Sequence, residues 1–149
     1  MKTRILFTLI AIAVTASTAG AQSLALLVEL SGTYQTTIAF EDAVAQGFYG
    51  RTDLVGDWTV TILEDGHIEW RYEAPDDSDS YEMSSVYVVH DARLLLGATT
   101  GRHRPREQGV TAGEYTWSWH NDALVLEAVD DGAVERRIVL TAHPLVPVE

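Results

Sequence analysis

Cysteine is absent from this 149-residue chain, and its only lysine is Lys2. Without cysteine there can be no disulfide, no thiolate metal site and no lipid attached to a cysteine near the N-terminus. Packing alone must therefore stabilise the fold. Hydrophobic residues make up 46% of the chain, which is enough to form a core for one domain.

Positive charge is also scarce. The chain has 10 basic and 22 acidic residues, which gives a net charge of −12. Nucleic acids and anionic membranes attract basic surfaces, because phosphate groups are bound by lysine and arginine. We therefore expect no nucleic-acid partner.

Sequence patterns of common catalytic and metal sites are missing. No G-x-S-x-G motif of a serine nucleophile occurs. No two of the five histidines lie two or four positions apart, so no local metal-binding pair exists. We predict no metal and no cofactor. The sequence favours a protein without catalytic activity but leaves an enzyme open.

The longest apolar run lies at the N-terminus. Basic Lys2 and Arg4 precede a nearly apolar stretch at residues 5–14, and Ala19-Gly20-Ala21 has the small residues that signal peptidase prefers. A membrane anchor needs about 20 apolar residues, roughly twice this stretch. We therefore predict a signal peptide at residues 1–21, with cleavage near Ala21. The mature protein would be one domain at residues 22–149, secreted or periplasmic, without a stable membrane anchor.

After the N-terminal run, apolar and polar residues alternate with period two, which is typical of half-buried β-strands. Turn residues such as Asp65-Gly66 and Asn121-Asp122 separate the alternating segments. The pattern predicts strands at residues 32–40, 57–64, 67–73, 81–90, 93–98, 113–119, 123–129 and 133–142. Short connections make neighbouring strands antiparallel. The predicted fold class is therefore all-β, an antiparallel up-and-down β-barrel of about eight strands, with a two-sheet β-sandwich as the alternative.

Large aromatic residues are concentrated on the predicted inward faces of these strands. A barrel of eight strands has room for side chains or for one small ligand. Aromatic rings with polar tips suit a cavity for a small, largely apolar molecule, although the same rings can fill an ordinary core. The candidate cavity residues are Trp58, Trp70, Tyr72, Tyr87, Tyr115, Trp117 and Trp119.

One basic cluster lies within the longest polar loop, residues 99–112. It contains Arg102, Arg104 and Arg106. Arginine has a planar fork of donors that binds carboxylate or phosphate groups bidentately. The cluster is a candidate anion-binding loop at the mouth of the barrel. The alternative is a solvated loop that offsets local acidic repulsion.

Three motifs occur in a characteristic order. Gly32-Thr33-Tyr34 opens the first strand, Gly56-Asp57-Trp58 opens the second, and Gly113-Glu114-Tyr115-Thr116-Trp117 precedes the closing strands. This arrangement resembles the small bacterial lipocalin-like domains of the calycin group, over most of residues 32–144. The resemblance implies a barrel and, in general terms, small hydrophobic ligands. It also implies that Arg136 or Arg137 packs over Trp58 by a cation–π contact.

These features lead to three functional hypotheses. The first is an exported lipocalin-like protein that binds a small hydrophobic or amphipathic molecule in the barrel. The second is a non-catalytic interaction or inhibitor module with a filled barrel, for a protein partner that the sequence does not identify. The third is an isomerase or cyclase on the same barrel. A cavity favours the first, and a buried titrating group within that cavity favours the third.

Overall fold

The computed structural model describes residues 29–49, 52–76, 79–101 and 112–148. The strands within these residues are β1 (Gly32–Ile38), β2 (Gly56–Ile62), β3 (His67–Glu73), β4 (Ser80–His90), β5 (Arg93–Leu96), β6 (Thr100–Gly101), β7 (Gly113–His120), β8 (Ala123–Asp131) and β9 (Val146–Pro147). Helix α1 (Phe40–Ala45) follows β1, and helix α2 (Val134–Thr141) follows β8. The predicted signal peptide lies outside the described residues, and none of the helices inside them has the length and apolar character needed to cross a membrane.

The strands form one antiparallel sheet that nearly closes on itself. Their order is β8-β7-β5-β4-β3-β2-β1-β9, with β6 beside β4. Leu124 of β8 and Leu145 exchange backbone hydrogen bonds of 2.9 and 2.8 Å, which link the two ends of the sheet. The prediction of an all-β, up-and-down antiparallel barrel is confirmed. The sandwich alternative is not adopted, because the strands follow a single continuous path.

Tight turns produce this up-and-down order. Both central residues have positive φ in the turns Asp91-Ala92 (49° and 58°) and Asn121-Asp122 (50° and 63°), as type I′ hairpin turns require. Gly66 has a φ of 87° in the predicted Asp65-Gly66 hairpin. These turns match the right-handed twist of the strands that they connect.

The predicted last strand at residues 133–142 is wrong, since α2 occupies most of that segment. The alternation of Val134, Arg136, Ile138 and Leu140 imitates the period of a strand. The helix instead buries Arg136, Val139 and Leu140 at the spacing i, i+3, i+4, together with Ile138. It packs against β8 and β1, which are not paired with each other and lie on either side of the barrel seam.

The chain after α2 is also structured beyond the last predicted strand, which ends at residue 142. Strand β9 pairs with Tyr34 and Gln35 of β1. Strand β8 likewise extends beyond its predicted end at residue 129 to Asp131, which is buried. Both additions lie at the seam, where contacts between distant parts of the chain decide the structure.

Candidate ligand-binding site

Five of the seven candidate cavity residues are buried in the core, namely Trp58, Trp70, Tyr72, Tyr87 and Tyr115. Trp117 is partly buried and packs against that core. Trp119 departs from the expectation, because its side chain is 41% exposed. The pairing of β5 with β7 ends at Thr116, so that Trp119 lies on a part of β7 that is paired with β8 alone.

Three aromatic rings form a cluster at one end of the barrel. The ring centroids of Trp58, Tyr72 and Tyr81 are 4.8 to 5.7 Å apart. Their polar tips donate hydrogen bonds to three consecutive carbonyl oxygens in residues 53–55, at 2.9 Å from Trp58, 2.9 Å from Tyr72 and 3.2 Å from Tyr81. These rings therefore anchor the connection before β2 across this end of the barrel.

Towards the other end of the barrel, two buried tyrosines on β1 and β4 make similar contacts. The Tyr34 hydroxyl donates to the carbonyl of Leu30 at 2.8 Å, and the Tyr87 hydroxyl donates to the carbonyl of Leu63 at 2.7 Å. Burial raises the pKa of both phenols, so they stay neutral across the physiological range. Leu30 is fully buried and fills this end.

Between the two ends lies Trp70, whose indole nitrogen is buried. Its ring is 2% exposed and lies in an inward-facing row between Val60 of β2 and Met83 of β4. Among the described residues, Nε1 has no hydrogen-bond partner. The Oγ1 atom of Thr36, a residue that is 7% exposed on β1, is the second buried side-chain atom of this kind.

The inward-facing row is not fully shielded from solvent. Met83 lies directly opposite Trp70 in the sheet, and Trp117 lies opposite the buried Leu126. Both side chains are nevertheless only partly buried. Solvent therefore reaches inward-facing positions on β4 and β7.

A buried ion pair lies beside this interior. Arg136 of α2 donates from Nε and Nη2 to the two carboxylate oxygens of Asp131, at 2.7 and 2.8 Å. The Tyr115 hydroxyl and the backbone N–H of Ala133 also donate to this carboxylate. The remaining guanidinium nitrogen, Nη1, donates to the carbonyl of Gly97 at 2.7 Å. Burial, together with the hydrogen bond and charge of Asp131, raises the pKa of Tyr115.

This network is structural, because it joins α2 to β7, to the end of β8 and to the residue after β5. It also overturns the expected cation–π contact, since the guanidinium of Arg136 is held by Asp131 while Trp58 packs against Tyr72 and Tyr81. Arg137 donates to the backbone carbonyl of Asp131 at 3.2 Å. Sequence reasoning missed Asp131, and no local signal distinguishes it from its exposed neighbour Asp130.

Two open clefts lie on the outside of the barrel. A polar groove of about 440 Å³ crosses β2, β3 and β4; Arg71, Glu69 and Glu82 line it, and it also borders Trp70 and Met83. A second cleft of about 690 Å³ lies between β1, the β7–β8 turn and the residues after α2. It contains His120 and His143. The described residues include no group of three histidine or carboxylate side chains arranged to hold a metal ion.

The candidate anion-binding loop with Arg102, Arg104 and Arg106 lies outside the described residues and stays a prediction. Comparisons of the chain with protein-family models, with curated proteins and with solved structures found no match. The likeness to lipocalin-like domains therefore rests on the motifs of this chain and on its antiparallel, nearly closed barrel, which is consistent with a calycin-like fold.

Proposed function

We propose that this protein is an exported, lipocalin-like binder of a small, mostly apolar molecule, which it holds in the barrel interior. The proposal is supported by the barrel, by its aromatic lining and by the signal-like N-terminus. One observation carries it, namely the buried indole N–H of Trp70 without an acceptor.

The free-energy cost of burying the Trp70 indole N–H without a partner favours a bound ligand. A buried donor without a partner costs about 1–3 kcal/mol, and buried polar groups in proteins almost always have partners. Phenylalanine at position 70 would provide a large apolar ring without this cost. An indole is favoured there when a bound molecule supplies the acceptor, because the donor then becomes a source of affinity and orientation.

On this proposal, a ligand would enter beside Met83 and Trp117, whose side chains are partly exposed. Both side chains are compatible with an apolar molecule, since methionine adapts its shape and tryptophan offers a broad apolar face. The rings at the end of the barrel are less suited to contact a ligand's polar group, because their polar tips already donate to the backbone of residues 53–55.

Intrinsic fluorescence tests this function. The four tryptophans are Trp58, Trp70, Trp117 and Trp119. Titration with a medium-chain fatty acid ester should quench or shift the emission, and Trp117→Phe should change the amplitude while the protein stays folded. If no apolar compound changes the emission, and native mass spectrometry shows only the mass of the unliganded chain, then ligand binding is refuted.

The second candidate function is a non-catalytic interaction module with a filled barrel. It is favoured by the packing at the end of the barrel, where Trp58, Tyr72 and Tyr81 anchor residues 53–55. The same titration decides between the two, because a filled barrel takes up no ligand.

The arginine loop predicts a competing class of ligand, an acid whose carboxylate is held at the mouth of the barrel, as the alternative to an uncharged ligand. If Arg102, Arg104 and Arg106 hold a ligand's carboxylate, then replacing all three by alanine should weaken the binding of acids but not of the matching alcohols. Equal losses for both classes of ligand would refute this role.

A further inference from the structure

We infer that the ligand of the barrel interior is uncharged and carries an acceptor oxygen, as an ester, ketone, amide or alcohol does. This inference rests on the proposed binding function and specifies its ligand class. It follows from the hydrogen-bonding groups and charges that the described residues present to the interior.

The first step concerns the direction of the hydrogen bond. A tryptophan side chain can only donate, so the partner of Trp70 Nε1 must be an acceptor. The Thr36 hydroxyl can donate as well, but Thr36 lies opposite Trp58 in the next row and also lines the cleft that contains His120 and His143. A ligand with an acceptor oxygen therefore suits Trp70, whereas a pure hydrocarbon leaves its indole N–H without a partner.

The second step concerns charge. Among the described residues, the buried polar and charged side chains are Thr36, Ser85, Asp131 and Arg136. Arg136 is the buried cation of this set, and its three nitrogens are engaged by Asp131 and by the carbonyl of Gly97. Ser85 donates to that same carbonyl at 2.9 Å. No cation in this set is left to compensate a buried ligand carboxylate, and an uncompensated buried charge is strongly unfavourable.

The third step concerns the electrostatic potential produced by the net charge of the protein. The net charge is −12, which repels anions at a distance and opposes their entry. The buried phenols of Tyr34 and Tyr87 stay neutral, and both already donate to backbone carbonyls. A neutral molecule encounters neither the repulsion nor the cost of burying a charge.

The test compares methyl decanoate with decanoate at pH 8, where the acid is ionised, by isothermal titration calorimetry on the purified protein in the form that the cell produces. We expect the ester to bind and the ionised acid to bind at least about tenfold more weakly.

Trp70→Phe should weaken ester binding by about threefold to tenfold, as expected for loss of one neutral hydrogen bond. Its matched control is Trp119→Phe, because the Trp119 indole lies at an exposed position and donates to Glu29. Thr36→Val, with the outward-facing Thr59→Val as its control, tests the hydroxyl in the same way.

The outcomes separate this inference from the proposed function. If neither compound binds, both are refuted. If decanoate binds as tightly as the ester, the function stands and the neutral-ligand inference is overturned. If the ester binds equally well to Trp70→Phe and to the unchanged protein, Trp70 is not the donor.

Discussion

Among the polar contacts described, the ion pair of Asp131 and Arg136 should cost the most stability when one partner is removed by mutation. Arg136→Ala would leave a buried carboxylate without its counter-charge, and we expect it to lower the free energy of unfolding by about 3–5 kcal/mol. Urea unfolding measures this. The control is Arg93→Ala, which removes a partly exposed ion pair with Glu114 and should cost about 1 kcal/mol or less. A loss at Arg136 as small as that at Arg93 would contradict the structural role.

The double variant Asp131→Leu with Arg136→Met provides a further check. It removes both charges and keeps apolar volume, so it should be less destabilising than Arg136→Ala. A double variant that is less stable than Arg136→Ala would show that the remaining partners of Asp131, rather than its charge, dominate the contribution of this site.

The raised pKa of Tyr115 should lower the free energy of unfolding at alkaline pH, because the unfolded chain releases this proton more readily than the folded protein. Its folded-state pKa is raised, while its unfolded-state pKa is close to 10, so the unfolded chain loses the proton first. The stabilisation is fully present below about pH 10 and decreases above it, by about 1.4 kcal/mol per pH unit for one proton. Because Lys2 is the only lysine, tyrosines dominate titration in this range. Tyr115→Phe should flatten the decrease seen in urea unfolding from pH 8 to pH 11, and an unchanged slope would contradict this role of Tyr115.

For single residues, the sequence predicts burial better than it predicts hydrogen bonding. Alternation along β3 correctly places Trp70 and Tyr72 on the inward face. Alternation does not show that the hydroxyl of Tyr72 reaches the carbonyl of Val55 while the indole of Trp70 reaches no acceptor. That difference depends on residues from separate elements, and it only becomes visible once the barrel is folded.

The sequence predicts a strand at residues 133–142, whereas the structure has helix α2 there. Proline substitution distinguishes the strand from the helix. The backbone N–H of Arg137 donates to the carbonyl of Ala133 at 2.9 Å within the helix. Arg137→Pro removes this bond and places the ring against that carbonyl, so it should cost about 3 kcal/mol or more relative to Arg137→Ala. If the two variants unfold at the same urea concentration, position 137 is not inside a helix.

The hairpins were predictable because their signals are local. Asp65-Gly66 and Asn121-Asp122 are residues that accept positive φ, and they stand between segments of clear alternation. Residues 133–142 carry no such signal. Their β-branched and alternating residues fit a strand, and a helix forms because it buries one face against β8 and β1. Tertiary packing therefore decides this element, as it decides the pairing of β9.

At the scale of the whole molecule, export is a prediction that the described residues do not test. N-terminal sequencing of the protein from the producing cells should begin within about two residues of Gln22. Removal of Lys2 and Arg4 would leave 8 basic and 22 acidic residues, hence 8 − 22 = −14. A purified protein that retains Met1 and the apolar residues 5–14 would contradict the signal peptide.

The up-and-down barrel could be predicted from the sequence because alternation and short turns leave few other topologies. The binding function could not be predicted with the same certainty, since the aromatic residues that suggest a cavity also serve as core. Trp58 anchors the backbone and Trp119 is partly exposed. Within the described residues, only Trp70 combines deep burial with an indole that has no hydrogen-bond partner. The case for a ligand therefore depends on one residue and its surroundings.

The most direct test of that case is the indole region of a two-dimensional ¹H–¹⁵N NMR spectrum. Each of the four tryptophans contributes one indole N–H signal, and Trp→Phe variants assign them. On addition of methyl decanoate, the Trp70 proton should move downfield as it gains an acceptor, while the Trp58 proton, already bonded to the Leu54 carbonyl, should move least. A Trp70 signal that keeps its position at saturating ester, or that moves no further than the Trp58 signal, would contradict binding in the barrel interior.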